Sequence, residues 1–117
     1  KKILVVDDEE NLRLLYQEEL EEEGYAVEVA AHGQEALDKL DSFKPDLITL
    51  DIKMPGMDGV ETLQRIREVQ RDLPVILCSA YGEYKQDLTT WASDAYVIKT
   101  SDLRELKNTI KTLLSRN

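Results

Sequence analysis

The sequence contains one cysteine, Cys78, and one histidine, His32, among its 117 residues. A single cysteine excludes a disulfide within the chain, and its place in the apolar run of residues 75–78 is typical of a small buried side chain. His32 follows the second apolar run, where we expect a plain surface-loop role. No metal site of clustered histidine and cysteine ligands is therefore predicted.

The sequence also lacks long apolar runs. No stretch reaches the 18 or so apolar residues that a membrane-spanning helix needs, and no basic-then-apolar leader precedes small residues at the amino end. We therefore expect a cytoplasmic protein without a membrane partner.

Basic residues are in the minority. Lysine and arginine number 15 against 24 aspartates and glutamates, which gives a formal net charge of −9. Binding to the phosphate backbone of nucleic acid depends on clustered lysine and arginine, so direct nucleic-acid binding is not expected. The acidic balance is better suited to a cation site or a basic partner.

The chain is long enough for one core, and we expect a single domain over residues 1–117. Short apolar runs alternate with helical patterns five times, which predicts an α/β fold with a parallel sheet covered by helices on both faces. The predicted strands are residues 3–6, 25–30, 47–50, 75–78 and 96–98. The predicted helices are residues 9–23, 34–40, a segment between 59 and 74 with Leu63, Ile66 and Val69, residues 83–91, and a last helix with Leu103, Leu106, Ile110 and Leu113.

Polar side chains follow four of the five predicted strands. In an open parallel sheet, ligands bind in the crevice outside the carboxyl ends of the strands. Each of these residues alone is explained by a turn or a helix cap, but their joint placement is not. The set comprises Asp7 and Asp8 after the first strand, Asp51 after the third, Ser79 after the fourth and Lys99 after the fifth.

Three carboxylates in one crevice repel one another. Either their pKa values rise or a cation neutralises them. Ligands that offer only oxygen favour Mg²⁺, with Mn²⁺ as the alternative, over zinc. We therefore predict a magnesium site at Asp7, Asp8 and Asp51.

Three motifs resemble those of the response-regulator receiver family, in the same order along the chain. They are residues 2–9 (KILVVDDE), 46–59 (DLITLDIKMPGMDG) and 95–99 (AYVIK). The resemblance covers essentially the whole chain, and Lys53 and residues 80–83 are similar to the single-domain receiver of the sporulation phosphorelay. It implies a doubly wound (βα)5 flavodoxin-like fold with five parallel strands in the order 2-1-3-4-5.

The resemblance also implies a signalling phosphoacceptor. Asp51 would accept a phosphoryl group from the phosphohistidine of a histidine kinase or a histidine phosphotransfer protein. Mg²⁺ would be held by Asp8, Asp51 and the backbone carbonyl of Lys53, with Asp7 acting through a bound water. Lys99 would supply a fixed counter-charge to the phosphoryl oxygens. Such a protein is not a conventional enzyme, because it catalyses only its own phosphorylation and slow dephosphorylation.

The resemblance also implies that phosphorylation changes a surface away from the phosphorylated residue. Ser79 would donate its hydroxyl to the phosphoryl group and make room for Tyr96 to turn inward, which would alter the face made by the fourth helix, the fifth strand and the fifth helix. Lys53 and Tyr81 lie at positions that in the family control the access of hydrolytic water to the phosphoaspartate. We expect the bulky Tyr81 to restrict that water and so to slow dephosphorylation. The protein would be a monomer or a phosphorylation-dependent dimer. Candidate residues for docking a helical histidine-bearing partner are Asn11, Leu12, Leu14, Thr100 and Leu103.

Thr100 departs from the family pattern, since many receivers have proline after the lysine of the fifth strand. A cis bond without proline costs about 2.5–4 kcal/mol, so we predict a trans or strained Lys99–Thr100 bond. Trp91 is also unexpected. These departures leave open a pseudo-receiver, a protein-interaction module that acts without phosphorylation, although the complete polar set argues against it.

Two other protein classes fit the sequence less well. A flavodoxin-type electron carrier needs a loop that binds phosphate after the first strand, where Asp7 and Asp8 would repel it. A dehalogenase-type phosphatase needs a second aspartate where this chain has Lys53.

Overall fold

The computed structural model describes residues 1–52, 56, 58–79, 93–99 and 102–115. Within these residues, strands and helices alternate along the chain, and we number them in chain order. They are β1 (Lys2–Val6), α1 (Glu10–Glu22), β2 (Ala26–Ala30), α2 (Gly33–Ser42), β3 (Leu47–Asp51), α3 (Gly59–Val69), β4 (Val75–Ser79), β5 (Ala95–Ile98) and α4 (Arg104–Leu114). The helix predicted for residues 83–91 and the bond between Lys99 and Thr100 lie outside the described residues.

The five strands form one parallel sheet in the order β2-β1-β3-β4-β5. This confirms the predicted doubly wound architecture. At the carboxyl edge Val6 pairs with Leu50, and Asp51 pairs with Cys78 in the next strand. The register therefore places the ends of β1, β3, β4 and β5 side by side.

Each face of the sheet has its own hydrophobic core, because side chains alternate between the faces of a strand. Helices α2 and α3 pack on one face, and α1 and α4 pack on the other. Cys78 belongs to the second core with 2% of its surface exposed, and burial raises the pKa of its thiol to about 12. The prediction of a buried cysteine is confirmed, and the neutral thiol offers no reactive thiolate.

The ends of the helices follow local sequence. Gly24 follows the predicted helix of residues 9–23 and has a φ of +97°, a backbone conformation that favours glycine and ends α1. His32 has a more specific role than the predicted loop position, because its Nδ1 accepts a hydrogen bond from the Glu35 backbone N–H (3.2 Å) and caps α2. Val69 departs from the predicted apolar stripe. It is the last residue of α3 and is 69% exposed.

No helix in the described part of the chain combines the length and the apolar character needed to cross a membrane.

Candidate functional site

Four of the predicted polar residues meet at the carboxyl edge of the sheet. Asp7, Asp51 and Ser79 are buried, with 2%, 5% and 2% of their surfaces exposed. The Lys99 ammonium lies 2.7 Å from Asp7 Oδ2 and 3.2 Å from Asp51 Oδ1, so it pairs with both carboxylates. One cation thus connects the ends of β1, β3 and β5.

Asp7 is held at four points. Its backbone N–H donates to the Ala30 carbonyl (3.1 Å), which extends the β1–β2 hydrogen bonds by one residue. Its Oδ1 accepts from the Glu9 backbone N–H (2.9 Å), and its carbonyl accepts from the Arg13 guanidinium (2.8 Å). With Lys99 on Oδ2, both carboxylate oxygens already have donors.

Asp8 completes the acidic group. It is exposed, and one carboxylate oxygen from each of Asp7, Asp8 and Asp51 lies within 4.8 Å of the others. Bonds between Mg²⁺ and oxygen are about 2.0–2.1 Å long, so oxygens this close can share one ion after small adjustments. The donors are all carboxylates, and their number and chemistry fit a hard divalent cation.

The electrostatics of Asp51 favour a cation next to it. Burial and the neighbouring charge of Asp7 raise the pKa of Asp51 to about 6, although Lys99 opposes the shift. Burial alone would lower the pKa of Lys99, but its hydrogen bond to Asp7 and the charge of Asp51 raise it instead. The ammonium is therefore firmly charged, and the Asp51 carboxylate still lacks full compensation.

Ser79 and Tyr96 lie on the same face of the sheet. Leu77 pairs with Tyr96 and Ser79 pairs with Ile98, so Tyr96 is a diagonal neighbour of Ser79 across β4 and β5. Tyr96 is half-buried against the core on the α2–α3 side. The Ser79 carbonyl accepts from the Lys99 backbone N–H (2.7 Å), which ties the end of β4 to the lysine.

Gly59 brings the start of α3 against the backbone of Asp51. A Cβ at this position would meet the Asp51 carbonyl and would lie 2.6 Å from the Ile52 Cα. The Gly59 N–H donates to the Ile52 carbonyl (2.8 Å). Gly59 ends the second family motif but was given no role of its own from the sequence; the available signal was a glycine directly after the α3 cap, Asp58.

The remaining candidates are the residues predicted to control hydrolysis or to contact a partner. Lys53, Tyr81 and Thr100 lie outside the described residues. Asn11 is exposed and Leu14 is 55% exposed, whereas Leu12 is half-buried. Leu103 is 7% exposed and packs in the core beside α1. Little of the Leu103 side chain is therefore open to a partner, and its contact with one stays a prediction.

A model of the response regulator receiver domain matches residues 3–111. Sporulation initiation phosphotransferase F of Bacillus subtilis is 38% identical over 116 residues, which cover 97% of this chain and 94% of that protein. The alkaline phosphatase synthesis transcriptional regulatory protein PhoP of the same organism is 39% identical over 119 residues. The chain covers only 50% of the length of PhoP.

Two solved structures of a Thermotoga maritima response regulator, TrrA, are similar over nearly the whole fold. TrrA in complex with Mg²⁺-BeF superposes with a TM-score of 0.93 at 50% identity, covering 97% of this chain and 98% of that one. TrrA in complex with the histidine kinase ThkA gives a TM-score of 0.92 at 50% identity, covering 98% and 99%. The matched sequence, the strand order and the acidic crevice agree, and the chain belongs to the response regulator receiver domain family.

Proposed function

We propose that residues 1–117 form a single receiver domain that accepts a phosphoryl group on Asp51 from a phosphohistidine of a partner protein. The observation that carries the proposal is the placement of Asp51. Its carboxylate is buried at the edge of the sheet, contacts the Lys99 ammonium and lies beside two further carboxylates.

The transfer is a nucleophilic displacement at phosphorus. A carboxylate oxygen of Asp51 forms the new O–P bond as the P–N bond to the donor imidazole breaks, and the bonding electron pair leaves with the imidazole nitrogen. Phosphoryl transfer depends mainly on in-line positioning and neutralisation of the outer oxygens. Lys99 is already held at Asp51, so its charge is in place before the group arrives.

Mg²⁺ would be held by Asp8, Asp51 and the Lys53 backbone carbonyl, with Asp7 acting through a bound water; Mn²⁺ would serve as a substitute. When bound, the cation neutralises phosphoryl oxygens and the crowded carboxylates. The engaged oxygens of Asp7 support its indirect role, because Glu9 and Lys99 already donate to them. The similar regulator TrrA has been solved with Mg²⁺-BeF.

The signal would leave the site through Ser79 and Tyr96. The Ser79 hydroxyl would donate to a phosphoryl oxygen, and Tyr96, its diagonal neighbour, would turn further into the space vacated. The half-buried position of Tyr96 on the same face supports this coupling. The surface formed by the segment before β5, by β5 itself and by α4 would change.

The partner is expected to be a histidine kinase or a histidine phosphotransfer protein, and TrrA has been solved with such a kinase. We propose Asn11, Leu12 and Leu14 at the start of α1 as contacts, together with Thr100, and with Leu103 supporting them from the core. Leu14 offers the largest apolar surface of these described residues. The domain would act in the cytoplasm without binding nucleic acid or membrane directly, as a monomer or a phosphorylation-dependent dimer.

The chain's own chemistry would be limited to its phosphorylation and a slow dephosphorylation. Lys53 and Tyr81 would control the approach of hydrolytic water to the phosphoaspartate. Replacement of Tyr81 by alanine is expected to shorten the lifetime of the phosphorylated protein.

Intact-mass spectrometry tests the proposal. The protein is incubated with acetyl phosphate and Mg²⁺, and separately with a phosphorylated histidine partner, beside Asp51→Asn and a sample in EDTA. We expect a gain of one phosphoryl mass that needs Mg²⁺, is lost in hydroxylamine and is absent from Asp51→Asn. Absence of the adduct with both donors would contradict the proposal and favour a module that acts without phosphorylation.

A further inference from the structure

Arg13 contacts the acidic site through the backbone, whereas Lys99 contacts it through the carboxylates. The Arg13 guanidinium Nη1 donates to the Asp7 carbonyl at 2.8 Å, and the side chain is half-buried. The β1–β2 hydrogen bonds end at the bond from the Asp7 N–H to the Ala30 carbonyl. Arg13 therefore donates to the carbonyl of the first residue after β1.

Holding this carbonyl also orients Asp8. The peptide bond is planar, so the Asp7 carbonyl, the Asp8 nitrogen and the Asp8 Cα lie in one plane. Asp8 is exposed, and among the described residues no lysine or arginine forms a salt bridge with its carboxylate. The Asp8 carboxyl group is within hydrogen-bond reach of Asp51, and the peptide held by Arg13 fixes the position of the Asp8 Cα from which the side chain extends.

We propose that Arg13 is a positioning residue of the cation site, which orients the Asp7–Asp8 peptide so that the Asp8 carboxylate faces Asp51. This inference rests on the proposed function, in which Asp8 and Asp51 share one Mg²⁺. Partners of this kind commonly affect metal affinity although they never touch the ion. Arginine suits the task because its long, planar fork reaches a carbonyl from the side of a helix.

The chain offers a matched control in Arg67. Its Nη1 also donates to a backbone carbonyl, that of Leu73 (2.6 Å), and its Nη2 pairs with Asp94 (2.9 Å). Leu73 precedes β4, at the opposite edge of the sheet from the acidic site. Arg67→Met removes a comparable contact with the backbone and should lower stability without moving the cation ligands.

The test is calorimetric titration of MgCl2 into metal-free wild type, Arg13→Met, Arg13→Lys and Arg67→Met. We expect Arg13→Met to weaken Mg²⁺ binding about tenfold, with Arg13→Lys within about threefold of wild type, because lysine still donates to the carbonyl. Arg67→Met should bind Mg²⁺ as wild type does, while urea unfolding shows its lower stability. In phosphorylation by acetyl phosphate, Arg13→Met should need more Mg²⁺ for half-maximal rate and regain the wild-type rate at saturation.

Equal Mg²⁺ affinity in wild type and Arg13→Met would overturn the inference, and so would an equal loss in Arg67→Met. If Arg13→Met does not fold, Arg13→Gln replaces it, because glutamine is too short to reach the carbonyl from the same position; wild-type affinity in Arg13→Gln would overturn the inference. The two proposals fail separately. Wild type that binds Mg²⁺ without phosphorylation of Asp51 contradicts the proposed function, whereas phosphorylated wild type with an unaffected Arg13→Met contradicts only the role of Arg13.

Discussion

The Lys99 ammonium is closer to Asp7 than to Asp51, at 2.7 Å against 3.2 Å. Asp7 forms the shorter ion pair with the Lys99 ammonium, and Asp51 forms a longer ion pair with the same ammonium. The Asp51 carboxylate thus lies beside a positive charge that makes its shorter contact with Asp7. This asymmetry is consistent with the proposed role of Asp51 as the phosphoacceptor.

Replacing Lys99 by methionine should destabilise the protein. Two buried carboxylates would lose their counter-charge, and breaking a buried ion pair from one side typically costs about 3–5 kcal/mol. Urea unfolding at pH 7 in EDTA measures the loss, and added MgCl2 should restore part of it. Lys39→Met is the control with a smaller expected loss, because its ion pairs to Glu28 and Glu35 are 3.6 Å long and partly exposed. Equal losses in the two variants would contradict this account.

Asp51→Asn should stabilise the protein at neutral pH in EDTA. The folded pKa of about 6 lies above the unfolded value near 3.9, so the folded state binds the proton more tightly. Ionised Asp51 therefore lowers the free energy of unfolding of the wild type, and Asp51→Asn avoids this cost. The cost is absent below about pH 4, grows between the two pKa values and is complete above about pH 6, where it is up to about 3 kcal/mol. Urea unfolding of both proteins from pH 4 to 7.5 should show this widening gap. A gap that does not change with pH would exclude titration of Asp51 as its cause.

Gly59→Ala should impair phosphorylation as well as stability. The added methyl group would collide with the backbone of Asp51 and Ile52, which cannot move aside as a flexible side chain would. Overpacking of this kind lowers the free energy of unfolding by about 1–3 kcal/mol. The displaced Asp51 should also accept a phosphoryl group from acetyl phosphate more slowly. Gly24→Ala is the matched control. Its φ of +97° makes alanine unfavourable, but no atom lies within 4 Å of the added group, so only stability should fall.

His32 should matter for stability alone. Its Nδ1 caps α2 by accepting from the Glu35 N–H, while Glu35 Oε1 accepts from the Ala31 N–H (2.8 Å). Loss of a capping side chain costs about 1 kcal/mol, and asparagine is a strong cap. We expect His32→Ala to lower the free energy of unfolding by about that amount and His32→Asn to retain it. A changed phosphorylation rate in a folded His32→Ala would disagree with this assignment.

The architecture followed from the sequence because hydrophobic pattern and chain order decide it. Apolar runs such as residues 47–50 and 75–78 are buried on both faces of the sheet, and the alternation of strand and helix leaves few topologies. The grouping of Asp7, Asp51, Ser79 and Lys99 followed too, since parallel strands end at one edge. These predictions depend on rules that need no detailed geometry.

Contacts that depend on the length and direction of a side chain could not be predicted from the hydrophobic pattern and the chain order. The bond from Arg13 to the Asp7 carbonyl and the close approach of Gly59 to Asp51 depend on where α1 and α3 begin relative to the sheet. The burial of Leu103 depends on the same kind of placement. A leucine just before a helix can be exposed or buried, depending on how that helix packs on the sheet. Here the packing of α4 buries Leu103 in the core beside α1.

The most direct test of the central claim is to locate the phosphoryl group. The protein phosphorylated with acetyl phosphate and Mg²⁺ is reduced with borohydride, which converts an aspartyl phosphate to homoserine, and is then digested and sequenced by tandem mass spectrometry. We predict homoserine at position 51 and unmodified aspartate at positions 7 and 8. Homoserine at another aspartate, with Asp51 unmodified, would contradict the assignment of Asp51 as the phosphoacceptor.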